Sequence, residues 1–291
     1  MEAAQIVKSR LILNLVLLLA LIAIGLYAYL RPTEEAKQGI RVSQLKREDV
    51  NRIRLQRDAK MDLQLEKRHE TWSITAPYQT HAEPLQVDRL LDLTMATASA
   101  EFPAQDLSRY GLDPAPVTVT LNDQSFAFGD INEVTNEQYL ASNGRVYLVR
   151  TYHGYSLPTT VAEMLGRKLL TDDEAPVEYD FGEWQAVRND KGAWSIQGKA
   201  PAGNDVAPTP DELNIWVAEW QLASALSISP SDARPQGERV VIRFSNGESA
   251  TFHVLEREPD VILLRVPGNM RYQLGADAGA RLLDPYRVAQ Q

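Results

Sequence analysis

The sequence predicts an α+β protein: one N-terminal transmembrane helix followed by two homologous units, each a helix packed on a mainly antiparallel sheet. Three observations predict it. Residues 11 to 30, "LILNLVLLLALIAIGLYAYL", form an apolar run without a charge. The tripeptide Trp-Ser-Ile occurs twice, beginning at Trp72 and at Trp194. Downstream of each copy the apolar residues recur first at helical and then at strand spacing.

The apolar run sets the first element. Twenty helical residues at about 1.5 Å each span the ~30 Å hydrocarbon core of a bilayer. Lys8 and Arg10 precede the run, opposed only by Glu2, while Glu34 and Glu35 follow it. The positive-inside tendency then makes residues 1–10 a cytoplasmic tail and 11–30 a single-pass span, with everything beyond on the outer side. Tyr27 and Tyr29 fall at the outer headgroup level. A cleavable signal peptide shares the basic start and apolar core, but this run is about twice a usual h-region and no A-x-A site precedes Arg31. An uncleaved anchor is therefore expected. Residues 31–48, charged and opened by Pro32, read as a linker.

The two units are assigned to 49–170 and 176–285, separated by the acidic stretch "LTDDEAP" at 170 to 176. Before Trp72 lie "VNRIRLQR" and "MDLQLEK", and before Trp194 lies "EWQAVRND", all with strand-like alternation. In "TPDELNIWVAEWQLASAL", Thr209 is placed as N-cap, Pro210 at the first helical position and Glu212 at N3. Its apolar stripe is Leu213, Trp216, Val217 and Trp220. The first unit answers with "EPLQVDRLLDLTMATASA", where Pro84 opens a helix and Val87, Leu90, Leu91 and Thr94 occupy the same offsets. After a loop, four strands follow in each unit: "VTVTLND", "SFAFGD", "EQYLAS" and "RVYLV" in the first, "RVVIRFSNG", "SATFHVLE", "VILLRV" and "MRYQL" in the second. Asn143-Gly144 and Asn246-Gly247 are hairpin turn pairs. A short terminal helix closes each unit.

Composition narrows the function. Two hundred and ninety-one residues exceed what one core usually holds. The net charge of −9 repels polyanions, so nucleic acid is not an expected partner. With no cysteine there is no disulfide, thiolate metal site or cysteine nucleophile. The stretch from 31 to 70 is net basic and the remainder strongly acidic, so the membrane-proximal part could face anionic headgroups.

No catalytic, cofactor-binding or metal-ligating residue is assigned. His69, His81, His153 and His253 lack ligand spacing. Ser156 lies near His153 in "HGYSLP" but not in a nucleophile elbow. No phosphate-binding glycine loop is present, so if ATP matters another subunit binds it. The polar loop "GDINEVTNEQ" lacks the glycine of a calcium loop. Trp184, Trp194, Trp216 and Trp220 are expected in the core of the second unit, and an exposed aromatic platform for glycan is the alternative.

An anchor of the type "SRLILNLVLLLAL", then "EDVNRIRLQR", then the pattern W-S-I-x-x-P, then Gly-Leu-Asp-Pro before a strand in "RYGLDPAPVTVTL" together resemble an uncharacterised bacterial envelope family, the domain of unknown function four-three-four-zero. The resemblance covers nearly the whole chain and supplies no catalytic residues. It implies an accessory role on the periplasmic side of the inner membrane, beside components of gliding-type ABC transporters. In physical terms Gly111 is expected to cap a helical turn at positive φ. The combined expectation is a non-enzymatic, membrane-anchored periplasmic scaffold or accessory subunit of an ABC-type complex. The alternatives are a binding module for cell-wall glycan or peptide and, third, an envelope hydrolase. Its functional surface is expected between the two units and not at Trp72 or Trp194.

Overall fold

Strand-period alternation dominates the chain beyond residue 40, and it folds as antiparallel sheet. The computed structural model describes residues 16–25, 39–58, 60–199 and 207–290. By its internal contacts the chain divides into Met1–Ile40 and Arg41–Gln291, and the second unit carries the sheets.

In the earlier half run β1 (Ile40–Arg41), β2 (Arg52–Arg57), β3 (Met61–Arg68), β4 (Thr71–Ala76), β5 (Thr80–His81), β6 (Thr97–Pro103), β7 (Val117–Leu121), β8 (Gln124–Asn132), β9 (Glu137–Ser142) and β10 (Arg145–Arg150). They form one sheet in the order β1-β6-β10-β9-β8-β7-β2-β3-β4-β5. The later half contributes β11 (Pro176–Asp180), β12 (Trp184–Arg188), β13 (Trp194–Gly198), β14 (Ser227–Pro230), β15 (Arg239–Phe244), β16 (Ser249–Glu256), β17 (Val261–Val266) and β18 (Met270–Leu274). Their order is β13-β12-β11-β15-β16-β17-β18-β14. Read from β6 to β4, the first sheet has the same strand order as the second read from β14 to β13. Registers agree as well: Leu55 lies between Val119 and Leu63, and Tyr179 lies between Ile242 and Ala186. The fold is α+β, with two antiparallel sheets and few helices.

The helices are α1 (residues 16–25), α2 (Pro84–Leu91), α3 (Tyr152–Tyr155), α4 (Pro210–Leu222) and α5 (Ala276–Leu282). Of the predicted span 11–30, α1 is the described part, and the rest lies outside the described residues. Its side chains are exposed, and ten helical residues rise only about 15 Å, half the hydrocarbon thickness. Among the described residues no helix is long and apolar enough to cross a membrane.

Local signals explain α4. The Thr209 hydroxyl accepts the Glu212 N–H at 3.3 Å while Glu212 accepts the Thr209 N–H at 2.7 Å, the predicted capping box, with Pro210 inside the first turn. Leu213, Trp216, Val217 and Trp220 are buried as expected. Trp216 and Trp220 pack around Tyr179 at 4.7 and 5.6 Å between ring centroids, and Trp220 meets Phe252 at 5.6 Å. These contacts seat α4 on β11 and β16. Gly111 ends a 3-10 turn over Leu107–Tyr110 at φ +65, as predicted, and a Cβ there would run into the Asp130 carboxyl group.

Four expectations change. The helix opened by Pro84 stops at Leu91, a 3-10 turn over Asp92–Met95 follows, and "TASAEFP" is strand β6 rather than helix. Ala98 is buried and Ala100 and Phe102 partly so, while Thr97, Ser99 and Glu101 face out, a period of two that pairing with β10 rewards. Thr94, predicted on the helical stripe, is buried one turn later and its hydroxyl donates to the Leu91 carbonyl at 2.8 Å. Inside the predicted linker 31–48, Val42 and Ser43 are buried, and the Val42 N–H donates to the Ala96 carbonyl at 3.1 Å. The stretch "LTDDEAP" is not a solvated boundary either: Leu170 is 1% exposed and the Glu174 side chain 12%.

Candidate functional site

The two halves are stitched by the segment that leaves α3. Ala82 and Leu165 form a β-bridge, the Glu83 N–H donates to the Met164 carbonyl at 2.8 Å and the Gly166 N–H to the His81 carbonyl at 2.9 Å. Immediately after, Lys168 bridges Ser224, the Leu169 N–H donates to the Ala223 carbonyl at 3.0 Å, and the Ala225 N–H to the Arg167 carbonyl at 2.9 Å. Residues 165 to 169 thus run as a short ladder from β5 to the end of α4. Along this seam lie two clefts, of about 1010 Å³ and about 550 Å³.

Thr71, His81 and Thr171 line both clefts, and beneath them is a buried ionic cluster. Arg265 on β17 reaches Glu174 with both guanidinium nitrogens and also donates to the Leu169 carbonyl. Glu174 in turn accepts the Thr171 N–H at 2.9 Å. His81 on β5 places Nε2 3.4 Å from the Glu174 carboxylate, outside hydrogen-bond geometry, so both ring nitrogens are buried without a hydrogen-bond partner. The Arg265 guanidinium lies 5.4 Å from the Phe252 ring centre.

The charges sort themselves accordingly. Burial pushes the Glu174 carboxyl up, but His81 and the Arg265 guanidinium outweigh it and hold it at about 2. Burial dominates at His81 and lowers it, with the Arg265 charge adding to the effect against the pull of Glu174. At neutral pH the cluster is an arginine-carboxylate pair with a neutral imidazole beside it. Such an arrangement positions and pins the strands that carry it.

The larger cleft has a rim of opposite charges already paired. Arg47 holds Asp88 and, at 2.9 Å, Asp92; Lys67 holds Glu70 at 3.1 Å and Lys168 holds Asp172 at 3.0 Å. Apolar wall is supplied by half-buried Trp72, by Val87 and Leu91, and by Leu222, which is 75% exposed. The cleft wall thus combines apolar surface with a polar rim.

Residues 72–229 match the family described as Domain of unknown function (DUF4340). The chain belongs to this family. The match starts at Trp72 on β4 and ends on β14, so the matched residues span the seam between the two sheets. No curated protein and no solved structure matches the DUF4340 chain.

Elsewhere in this DUF4340 protein, the residues weighed from sequence fall apart as follows. The Ser156 hydroxyl donates to the His153 carbonyl oxygen at 3.1 Å, not to its ring, which burial lowers. In "GDINEVTNEQ" the Asn132 side-chain oxygen accepts the N–H groups of Val134 and Thr135 at 2.9 and 3.2 Å, an Asx turn. Among the described residues no group of three or more His, Asp or Glu is placed to hold a metal. Trp184, Trp194, Trp216 and Trp220 are all buried, which removes a tryptophan platform from the second half. Trp72 departs from expectation, because it lines the larger cleft. The cluster of His81, Glu174 and Arg265 was missed from the sequence because its members are some ninety positions apart; the one signal was Arg265, a lone charge in the apolar strand "VILLRV".

Proposed function

We propose that this DUF4340 protein is a non-enzymatic, membrane-anchored periplasmic scaffold or accessory subunit, and that it binds an ABC-type membrane complex through the larger cleft. The observation that carries the reading is that cleft, about 1010 Å³, walled by residues of both halves, with Arg47, Lys67 and Lys168 on its rim each held by a neighbouring carboxylate. The uncharged run 11–30 behind Lys8 and Arg10 supports a single-pass inner-membrane anchor with the N-terminus cytoplasmic. The shared strand order of the two sheets supports two homologous units, 49–170 and 176–285, each with its helix. The partner class rests on what the family resemblance implies.

The test is a photo-crosslinking amino acid placed at Glu48, exposed on the cleft wall, in tagged full-length protein, with Val134, 94% exposed on a remote hairpin, as control. After mild solubilisation, adducts to an ABC-type membrane subunit from position 48 and not from 134 are expected. Recovery of the chain without any such subunit from either position rejects the reading.

One observation favours the glycan or peptide alternative: Trp72 offers a half-buried ring to the cleft. Titration of the full chain with soluble peptidoglycan fragments should then change tryptophan emission, and Trp72→Phe should abolish the change. Emission indifferent to the fragments removes this alternative.

A further inference from the structure

Helix α4 is apolar on two opposite faces. Leu213, Trp216, Val217 and Trp220 form the face seated on the second sheet. Opposite them, Ile215, Ala218 and Leu222 recur at i, i+3 and i+7, and Ile215 is 55% and Leu222 75% exposed. Surface helices normally carry one apolar stripe, and a helix apolar all round is ordinarily covered on both sides. The flanks are polar: Asn214 and Gln221 on one side, Glu219, held by Arg281 at 2.9 Å, on the other.

The ends of this exposed stripe carry opposite charges. Asp211 extends it by one turn toward the N-terminus, exposed and on the same line, four residues before Ile215. At the C-terminal end, the seam brings Arg167 alongside Ala225, and Arg167 shares the wall of the larger cleft with Leu222. Arg167 is exposed and makes no ion pair among the described residues. From Asp211 to Leu222 the face is about 16 Å long. Acid at one end, apolar centre and base at the other make a surface complementary to itself when turned by a two-fold axis.

We propose that this face of α4 is an isologous contact between two copies of the chain, the helices antiparallel and Asp211 of each meeting Arg167 of the other. The axis then passes beside Ala218, Ile215 faces Leu222 of the second copy, and the helix dipoles lie head to tail. An acidic body does not favour an anionic lipid surface as the occupant. The stripe is smaller than the ~800 Å² per partner of a standard interface, so the pairing is expected to depend on concentration and to be read best by trapping.

The chain has no cysteine, which makes trapping direct. Full-length protein carrying Ala218→Cys, in mild detergent, should oxidise to a disulfide dimer about tenfold faster than protein carrying Asp123→Cys, a control 94% exposed on its side chain. Ile215→Glu with Leu222→Glu in the Ala218→Cys background should abolish the excess, with an unchanged melting temperature showing that the fold is intact. Asp211→Arg or Arg167→Asp alone should slow trapping about two- to fivefold, and the two together should restore it. Equal rates at 218 and 123 overturn the proposal. So does an excess at 218 that persists in the double glutamate variant, or one that disappears only when vesicles compete for the face.

Discussion

Trp72 and Trp194 stand on equivalent strands of two sheets with the same strand order, and their surroundings differ. Trp194 is 4% exposed, 5.7 Å from Tyr179, on the last strand of its sheet. Trp72 is half-buried and lines the larger cleft, and beyond its strand the first sheet continues with β5, which delivers His81 to the seam. The cores differ in the same sense. Where the later half puts Tyr179 between its central strands and Trp216 and Trp220 on its helix, the earlier half has Leu55, Leu90 and Thr94. One topology thus serves two purposes: tyrosine and tryptophan packed under a thirteen-residue helix, and smaller side chains at the matching positions under an eight-residue helix beside the cleft.

The sharpest test of that contrast is Trp216→Ala. Trp216 is fully buried, donates from Nε1 to the carbonyls of Arg281 and Leu282 at 3.1 Å, and touches four aromatic rings. Denaturant unfolding should show a loss of about 3–5 kcal/mol, at the upper end of what Leu90→Ala costs. A smaller loss than at Leu90 would mean the aromatic core is not the tighter of the two.

The ionic cluster is where the halves depend on each other. Arg265→Met leaves Glu174 buried without its main partner and should cost about 3–5 kcal/mol, whereas Arg265→Met with Glu174→Met should recover most of it. The pH dependence has two windows. Because the folded-state value of His81 lies below its ordinary 6.5, the unfolded chain takes up that proton first, and stability declines as pH falls below 6.5. Glu174, held at about 2 against an ordinary 4.5, contributes stability that is complete above 4.5 and is lost as pH falls toward 2. His81→Gln should flatten the upper window and, because His81 also helps hold Glu174 down, shift the lower one toward 4.5. Melting curves recorded across both windows separate the two groups.

Smaller effects refine the comparison. Trp194→Ala should lower the melting temperature more than Trp72→Ala, since only the former empties a closed aromatic pocket; the reverse order would undo the distinction between core strand and cleft strand. Thr209→Ala should cost about 1 kcal/mol by removing the capping box, while Glu83→Ala should cost less, because Glu83 at the start of α2 makes no side-chain cap. Thermal unfolding resolves the pair.

Much of the fold was legible because its causes are local. Alternating apolar residues placed β7 to β10 and β15 to β18, Asn143-Gly144 turned its hairpin with both residues at positive φ, and Thr209-Pro210-Glu212 opened α4 by chemistry contained in four residues. The errors have a local cause too. "TASA" continues the helical run opened by Pro84 with two alanines, and only pairing with β10 made it part of β6. Glu174 sits in an acidic run that looks like a solvated linker, and only Arg265, 91 positions away, buries it.

The sequence by itself determined the period of most elements, β6 excepted, together with the turns, the family and the repeated order of helix and strands, since each is written in spacings of a few residues. Tertiary structure alone decided that Trp72 would open onto a cleft while Trp194 closed a core, that His81 would meet Glu174 and Arg265, and that α4 would leave a second apolar face in solvent. Those depend on which elements become neighbours across the seam, and pairing over such separations leaves no periodic trace in the chain.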